Sequence, residues 1–200
     1  MRIHHRLYLV RHGQAAGNRH GAFLGLRDDA LTELGRDQAR SLRNRLCDDR
    51  IDRIVASPLL RARDTAAILG EGRELGMEIE PRLIEQDYGD WDGLVFDDVI
   101  ARFGDDFHAW STGNPLLAPT GGESLVRAAT RMHEAATHWL RDLPEGGTLM
   151  LVGHAGSLQA LLCRLLNVPL CNQWPFMLAN ASLTELQWLG RGYRMTRMSW

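Results

Sequence analysis

Lysine is absent from this chain of 200 residues, and all 23 basic residues are arginine. Against 25 acidic residues they leave a formal charge of −2, which argues against nucleic-acid binding by bulk charge. Long apolar runs are lacking too. The strongest, residues 149–152 and 158–162, fall far short of the roughly 20 residues that cross a bilayer, so no membrane span is expected. Residues 1–6 are polar and lack the hydrophobic segment and cleavage site of a secretory signal, so export by that route is not expected. Cysteine is scarce. Cys47, Cys163 and Cys171 have neither the even count of a disulfide framework nor the close pairing of a zinc site. They are expected to be reduced thiols of a cytoplasmic protein, each a small core hydrophobe rather than a nucleophile.

What is present is an ordinary globular composition, 44% hydrophobic and 24% charged, in a length that suits one domain. Residues 7–10 read as a strand that ends at Arg11-His12-Gly13, followed by a loop to about residue 31. Thr32 suits the cap of a helix with Gly35, Ala39, Leu42 and Leu46 on one face. Residues 54–56 form a second expected strand. Ser57 then offers a capping hydroxyl and Pro58 a first helical residue, which puts Arg61 on the opening turn.

A third strand is expected at 77–79. Leu125, Ala129, Met132, Ala136, Trp139 and Leu143 mark an amphipathic helix of about 20 residues. Residues 148–152 form a buried strand that breaks at Gly153-His154-Ala155-Gly156 and restarts as a helix over 158–166, and residues 182–189 and 193–198 form a hairpin. Strands alternating with helices predict an α/β fold, a three-layer α/β/α sandwich with a mostly parallel sheet and one antiparallel edge strand from the hairpin. That hairpin offers an edge either to a homodimer or to cover within one chain.

In such sheets ligands bind beyond the carboxyl ends of the strands. Three exits carry Arg11 and His12, Arg61, and His154. Two guanidinium groups and two imidazoles on one rim suit a phosphoryl dianion, since arginine matches its oxygens in forked geometry. The free amides opening the helix after His154 are expected to add a favourable field.

These residues sit in five ordered blocks. Leu9-Val10-Arg11-His12-Gly13-Gln14 comes first, then Ser57-Pro58-Leu59-Leu60-Arg61-Ala62 with Thr65-Ala66. Glu85 with Tyr88-Gly89-Asp90-Trp91-Asp92-Gly93 follows, then Gly121-Gly122-Glu123-Ser124 and Val152-Gly153-His154-Ala155-Gly156. Together they resemble the histidine phosphatase superfamily, the phosphoglycerate-mutase-like branch 1, over nearly the whole chain.

The resemblance implies phosphoryl transfer onto His12, with its other ring nitrogen held by a hydrogen bond, expected to a backbone carbonyl. Arg11, Arg61 and His154 would hold the nonbridging oxygens and Asn18 would donate to them, with neither cofactor nor metal required. Glu85 would be the general acid and base, with Asp87 as its rival. Glu123 is weighed between a substrate or supporting role and a place at the positive end of the long helix. His133 and His138 are expected to be surface or packing residues, and His4 and His5 a flexible polar terminus. Arg19, His20 and Arg27 lie in the loop after the first block with no spacing rule to assign them. Ala15 stands where the family usually has Thr, which removes one polar contact.

Residues 92–121 are expected to form a small helical lid or subdomain of a single domain spanning 1–200. From Asp92 to Val126 Arg102 is the one basic residue, against Asp92, Asp97, Asp98, Asp105, Asp106 and Glu123, a balance that disfavours a second phosphate. Trp91, Phe96, Phe103, Phe107 and Trp110 either pack this subdomain or cover the leaving group. The motif style is that of family members acting on α-ribazole phosphate, glycosylated phosphoglycerates and small sugar phosphates. The expected activity is thus a metal-independent phosphomonoesterase acting on a small phosphorylated metabolite. Phosphoglycerate mutase is the alternative, and a noncatalytic phosphate-ligand binder the second.

Overall fold

In the computed structural model residues 4–199 are described. The elements are β1 (His5–Arg11), α1 (Glu33–Arg45), β2 (Arg53–Ala56), α2 (Leu60–Gly70), β3 (Met77–Ile79), α3 (Phe96–Ser111), α4 (Leu125–Leu140), β4 (Thr148–Gly153), α5 (Ala155–Leu166), β5 (Leu183–Trp188) and β6 (Tyr193–Ser199). The strands form one sheet in the order β3-β2-β4-β1-β5-β6. β3, β2, β4 and β1 pair in parallel, while β5 is antiparallel to both β1 and β6. The antiparallel pairing lies at the hairpin end, as the sequence predicts, and the outermost strand β6 runs in the direction of β1.

Alternation along the central strands builds two cores, because successive side chains leave opposite faces of a sheet. Leu7 and Leu9 of β1, with Leu149 and Leu151 of β4, pack with Met132 of α4 and Leu158 and Leu161 of α5. Tyr8, Val10, Met150 and Val152 pack with Leu42 of α1 and Ala62, Ala66 and Leu69 of α2. Both faces are therefore covered, and the fold is the expected three-layer α/β/α sandwich. No helix among the described residues is long and apolar enough to cross a membrane.

Several local expectations are corrected. His4 and His5 are not a loose terminus. Gly146 donates its N–H to the His4 carbonyl, and His5 opens β1 opposite Trp188 with its Nε2 2.8 Å from the Tyr193 hydroxyl. α2 starts at Leu60 rather than Pro58, and the cap is not Ser57: Asp28 Oδ1 takes the Leu60 N–H at 2.6 Å. α4 stops at Leu140, shorter than the apolar spacing predicts, and Leu143 reaches the core from the turn that leads to Pro144. α5 starts at Ala155, three residues earlier than expected, directly after the extended His154. Of the cysteines only Cys163 is buried; Cys47 and Cys171 are exposed, since their positions fall outside the packed faces. The Thr32 cap forms as expected, accepting from the Gly35 N–H at 3.0 Å.

Candidate active site

The sheet order brings three exits side by side. Arg11 of β1 is in register with Gly153 of β4, and Ala56 of β2 with Val152 of β4, so His12, His154 and Ser57 follow at neighbouring ends. The approach of the first exit to α1 needs glycine. A Cβ on Gly13 would lie 2.3 Å from the Gly35 carbonyl oxygen, and one on Gly35 would lie 2.1 Å from that of Gln14. Thr65 ties this loop to α2, accepting from the Gly13 N–H at 3.0 Å and donating to the Arg61 carbonyl at 2.7 Å.

His12 is buried, with Nδ1 2.6 Å from the Gly13 carbonyl oxygen. Only a protonated Nδ1 can donate there, so in the neutral ring Nε2 keeps its lone pair. Burial, then the charges of Arg61 and Arg11, push the His12 pKa well below its ordinary value, against the opposing pull of the Gly13 bond. The ring is neutral and its free nitrogen is available as a nucleophile.

His154 lies 5.1 Å from His12, ring centre to ring centre. Its Nδ1 accepts from Arg61 Nε at 3.1 Å, which leaves the proton on Nε2, 2.8 Å from Ser57 Oγ. Burial and then Arg61 push its pKa well down. Arg61 is fully buried and donates to the carbonyls of Gly25 at 2.7 Å and Arg27 at 2.5 Å, with a longer contact to Leu24. That loop is itself held by Asp92, whose two oxygens accept from the Gly25 and Arg27 N–H groups at 2.8 Å each. The sequence predicts direct phosphate contacts for both Arg61 and His154. Neither is on the wall of the open pocket, and most of their hydrogen-bonding atoms are engaged, those of Arg61 largely by loop carbonyls.

Glu85 is buried and takes the amides that were expected to be free at the start of α5. Its Oε1 accepts from the Ser157 and Gln86 N–H groups at 2.7 and 2.8 Å, and its Oε2 accepts from Gly156 at 3.0 Å. Oε2 therefore keeps the freer lone pair. Gly156 permits this, since a Cβ there would meet Tyr88 Oη at 3.0 Å and Glu85 Oε1 at 3.1 Å.

Asp87, the rival, is instead engaged in the turn, accepting from the Gly89 N–H at 2.8 Å. Glu123 is drawn to Arg131, whose Nη2 donates to it at 2.7 Å and Nε at 2.9 Å. The same guanidinium donates to the carbonyls of Arg82, Ile84 and Glu85 at 2.7, 2.7 and 2.9 Å. Glu123 thus acts on the backbone that carries Glu85, and the structure does not bring it to the wall of the site.

The open pocket holds about 220 Å³. Its wall combines the polar side chains of Arg11, His12, Asn18 and Glu85 with Phe23, Leu24, Tyr88 and Phe96, and Tyr88 Oη faces the same Gly156 position as Glu85 Oε1. Arg11 Nη1 is anchored on the Leu178 carbonyl at 2.6 Å. Asn18 Oδ1 accepts from the Ala15 N–H at 2.9 Å and from Asn180 Nδ2 at 3.3 Å, which orients its own NH2 as a donor. Tyr88 is kept protonated, its pKa raised by burial and by Glu85.

The acidic stretch is less repulsive than its composition implies, because Asp92 and Glu123 are engaged as described and Asp106 accepts from Thr120. The aromatic residues of this stretch mostly pack on one another: Trp91 is fully buried, 5.5 Å from Trp110 and 5.7 Å from Phe107. His133 is half-buried and His138 exposed on α4. Sequence reasoning missed Arg131 and the turn of Ser57 toward His154, and it quoted Thr65 and Asp92 within their blocks without these hydrogen-bonding roles. Arg131 had a readable signal, an arginine beside the buried Met132 stripe, where a charge requires partners.

Residues 7–200 match the model of the histidine phosphatase superfamily (branch 1). The chain is 34% identical over 181 residues to phosphoserine phosphatase 1 of Hydrogenobacter thermophilus, covering 90% of this chain and 85% of that protein. It is 36% identical over 171 residues to the adenosylcobalamin/alpha-ribazole phosphatase of Salmonella typhimurium, covering 86% and 84%. The solved mycobacterial glucosyl-3-phosphoglycerate phosphatase superposes with a TM-score of 0.89 at 34% identity, over 100% of this chain and 98% of that one.

Proposed function

This chain belongs to the histidine phosphatase superfamily, branch 1, and from that premise we propose that it hydrolyses small phosphomonoesters through a phosphohistidine on His12. The observation that carries the reading is the 2.6 Å contact between His12 Nδ1 and the Gly13 carbonyl oxygen. It puts the proton on Nδ1 and leaves the Nε2 lone pair free, on a ring that lines one pocket with Arg11, Asn18 and Glu85.

His12 Nε2 attacks phosphorus in line, and the bond to the leaving oxygen breaks. Glu85, through Oε2, gives that oxygen a proton, then takes one from the water that cleaves the P–N bond and releases phosphate. Arg11 and the Asn18 amide hold nonbridging oxygens. Arg61 contributes its charge and its one uncommitted Nη1 hydrogen, and His154 the proton it shares with Ser57. These groups supply the positive field that phosphoryl transfer demands. Phe96, at the start of α3, is on the pocket wall and borders the leaving group. The cysteines, free of disulfides, are consistent with a cytoplasmic setting.

Hydrolysis of p-nitrophenyl phosphate in excess chelator tests the reading. Turnover is expected from the wild-type protein and not from His12→Ala. Equal rates for the two, or activity that chelator abolishes, would contradict it.

A further inference from the structure

Beside its polar groups, the pocket wall has a second set of residues. Gly21, Ala22, Phe23, Leu24, Tyr88 and Phe96 bring backbone, rings and a branched chain, and among the described residues Arg11 is the one arginine on the wall. Arg27, across Ala22 and Leu24, lines a neighbouring pocket, with its Nε 3.2 Å from Asp29. Asp97 and Asp98, directly after Phe96, are exposed. A carboxylate on the leaving group would therefore find no arginine on this wall beyond the phosphate-facing Arg11, and it would meet the charge of Asp97 and Asp98.

Phe96 itself needs an explanation. It is 51% exposed, although it opens a helix whose other rings pack inward, and its contact with Phe107 at 5.0 Å covers only part of it. Its position is nonetheless set by the backbone. The Phe23 N–H donates to the Leu94 carbonyl at 2.9 Å, the Gly93 N–H donates to the Phe23 carbonyl at 2.7 Å, and Ala22 bridges Val95. Phe23 is braced by Tyr88 at 5.3 Å and Trp91 at 5.8 Å. The two phenyl rings are thus held on adjoining, mutually bonded segments at the mouth of the phosphate site.

We propose that this site selects phosphomonoesters with an uncharged, apolar leaving group, and that Phe96 is the residue that reads it. The inference rests on the phosphatase reading above and specifies its substrate class. An apolar group laid between Phe23 and Phe96 buries surface that both otherwise expose to water, while the ester oxygen stays at Glu85.

Two primary alkyl monoesters test it, 2-phenylethyl phosphate and O-phosphoserine, with p-nitrophenyl phosphate as a common reference. Wild-type kcat/KM is expected to favour 2-phenylethyl phosphate by at least about tenfold. Phe96→Ala is expected to lower that substrate about tenfold, chiefly through KM, and to lower O-phosphoserine by much less, so that the ratio between the two falls about fivefold or more. Phe96→Arg is expected to raise O-phosphoserine and reverse the preference. A wild-type preference for O-phosphoserine, or a ratio unchanged in Phe96→Ala, overturns the inference while the phosphatase reading stands. No turnover of any of the three esters overturns both.

Discussion

Two parts of the site are built differently. His12, Arg61, His154 and Glu85 are buried and held by fixed hydrogen bonds, His12 and Glu85 to the backbone, Arg61 to loop carbonyls and His154, and His154 to Arg61 and Ser57. Phe96, on the pocket wall, stands half in solvent with ring contacts alone. Groups that stabilise developing charge act best when preorganised and dry, whereas groups that select a leaving group need only shape and polarity. On the proposed function, the chemistry belongs to the hydrogen-bonded cluster and the choice of ester to the half-exposed rim. Substitutions at the first are expected to lower turnover of every ester, and those at the second to change the ratio between esters.

The largest expected effect is that of His12→Ala, which removes the nucleophile and should lower kcat on the order of 10⁴-fold or more for all esters. An ester-dependent loss would break the comparison. Glu85→Gln comes next. Loss of a proton donor costs about 10²- to 10⁴-fold, and the cost should be largest for alkyl esters and smallest for p-nitrophenyl phosphate, whose leaving group needs no proton.

Arg131→Met should reproduce that leaving-group pattern at smaller amplitude, about tenfold, since Arg131 fixes the carbonyls of Ile84 and Glu85. Arg131→Lys should not restore activity, because an ammonium lacks the fork. Equal losses on aryl and alkyl esters would reduce Arg131 to a purely structural residue.

The smallest expected effect is on stability. His12 and His154 have folded pKa values well below 6.5, so below that pH the unfolded chain binds protons that the folded one does not. Stability is then complete above about pH 6.5 and falls as pH drops toward the folded values, by up to about 1.4 kcal/mol per pH unit for each histidine. Glu80, held at about 2 chiefly by its hydrogen bonds from Arg82, adds its loss in a lower window, below its usual 4.5. Urea titrations between pH 5 and pH 8 check this, and His154→Gln should make the slope shallower. A flat profile over that range would show that the buried rings are not held neutral.

The strand and helix order could be read from sequence because burial on both faces imposes regular apolar patterns, and a backbone-carbonyl partner for His12 was expected from the family resemblance, although only the structure identifies it as Gly13. Arg11, His12, Asn18 and Glu85 meet in one pocket as expected. What could not be read depends on partners distant in the chain. Asp28 reaches Leu60 across 32 positions, and Asp92 holds a loop 65 to 67 positions away. Glu123 and Arg131 are eight residues apart, outside the three- and four-residue spacing that pairs side chains on a helix. The amides opening α5 look free in sequence, and only the approach of the 84–86 segment shows that Glu85 occupies them.

The central claim is a transient bond between phosphorus and His12 Nε2. Rapid mixing with a phosphorus-labelled ester, followed by an alkaline quench and peptide mapping, tests it most directly. The account predicts a label on the His12 peptide that is lost in acid and absent from His12→Ala. Steady turnover with label never found on that peptide, or with the label on another residue, would contradict it.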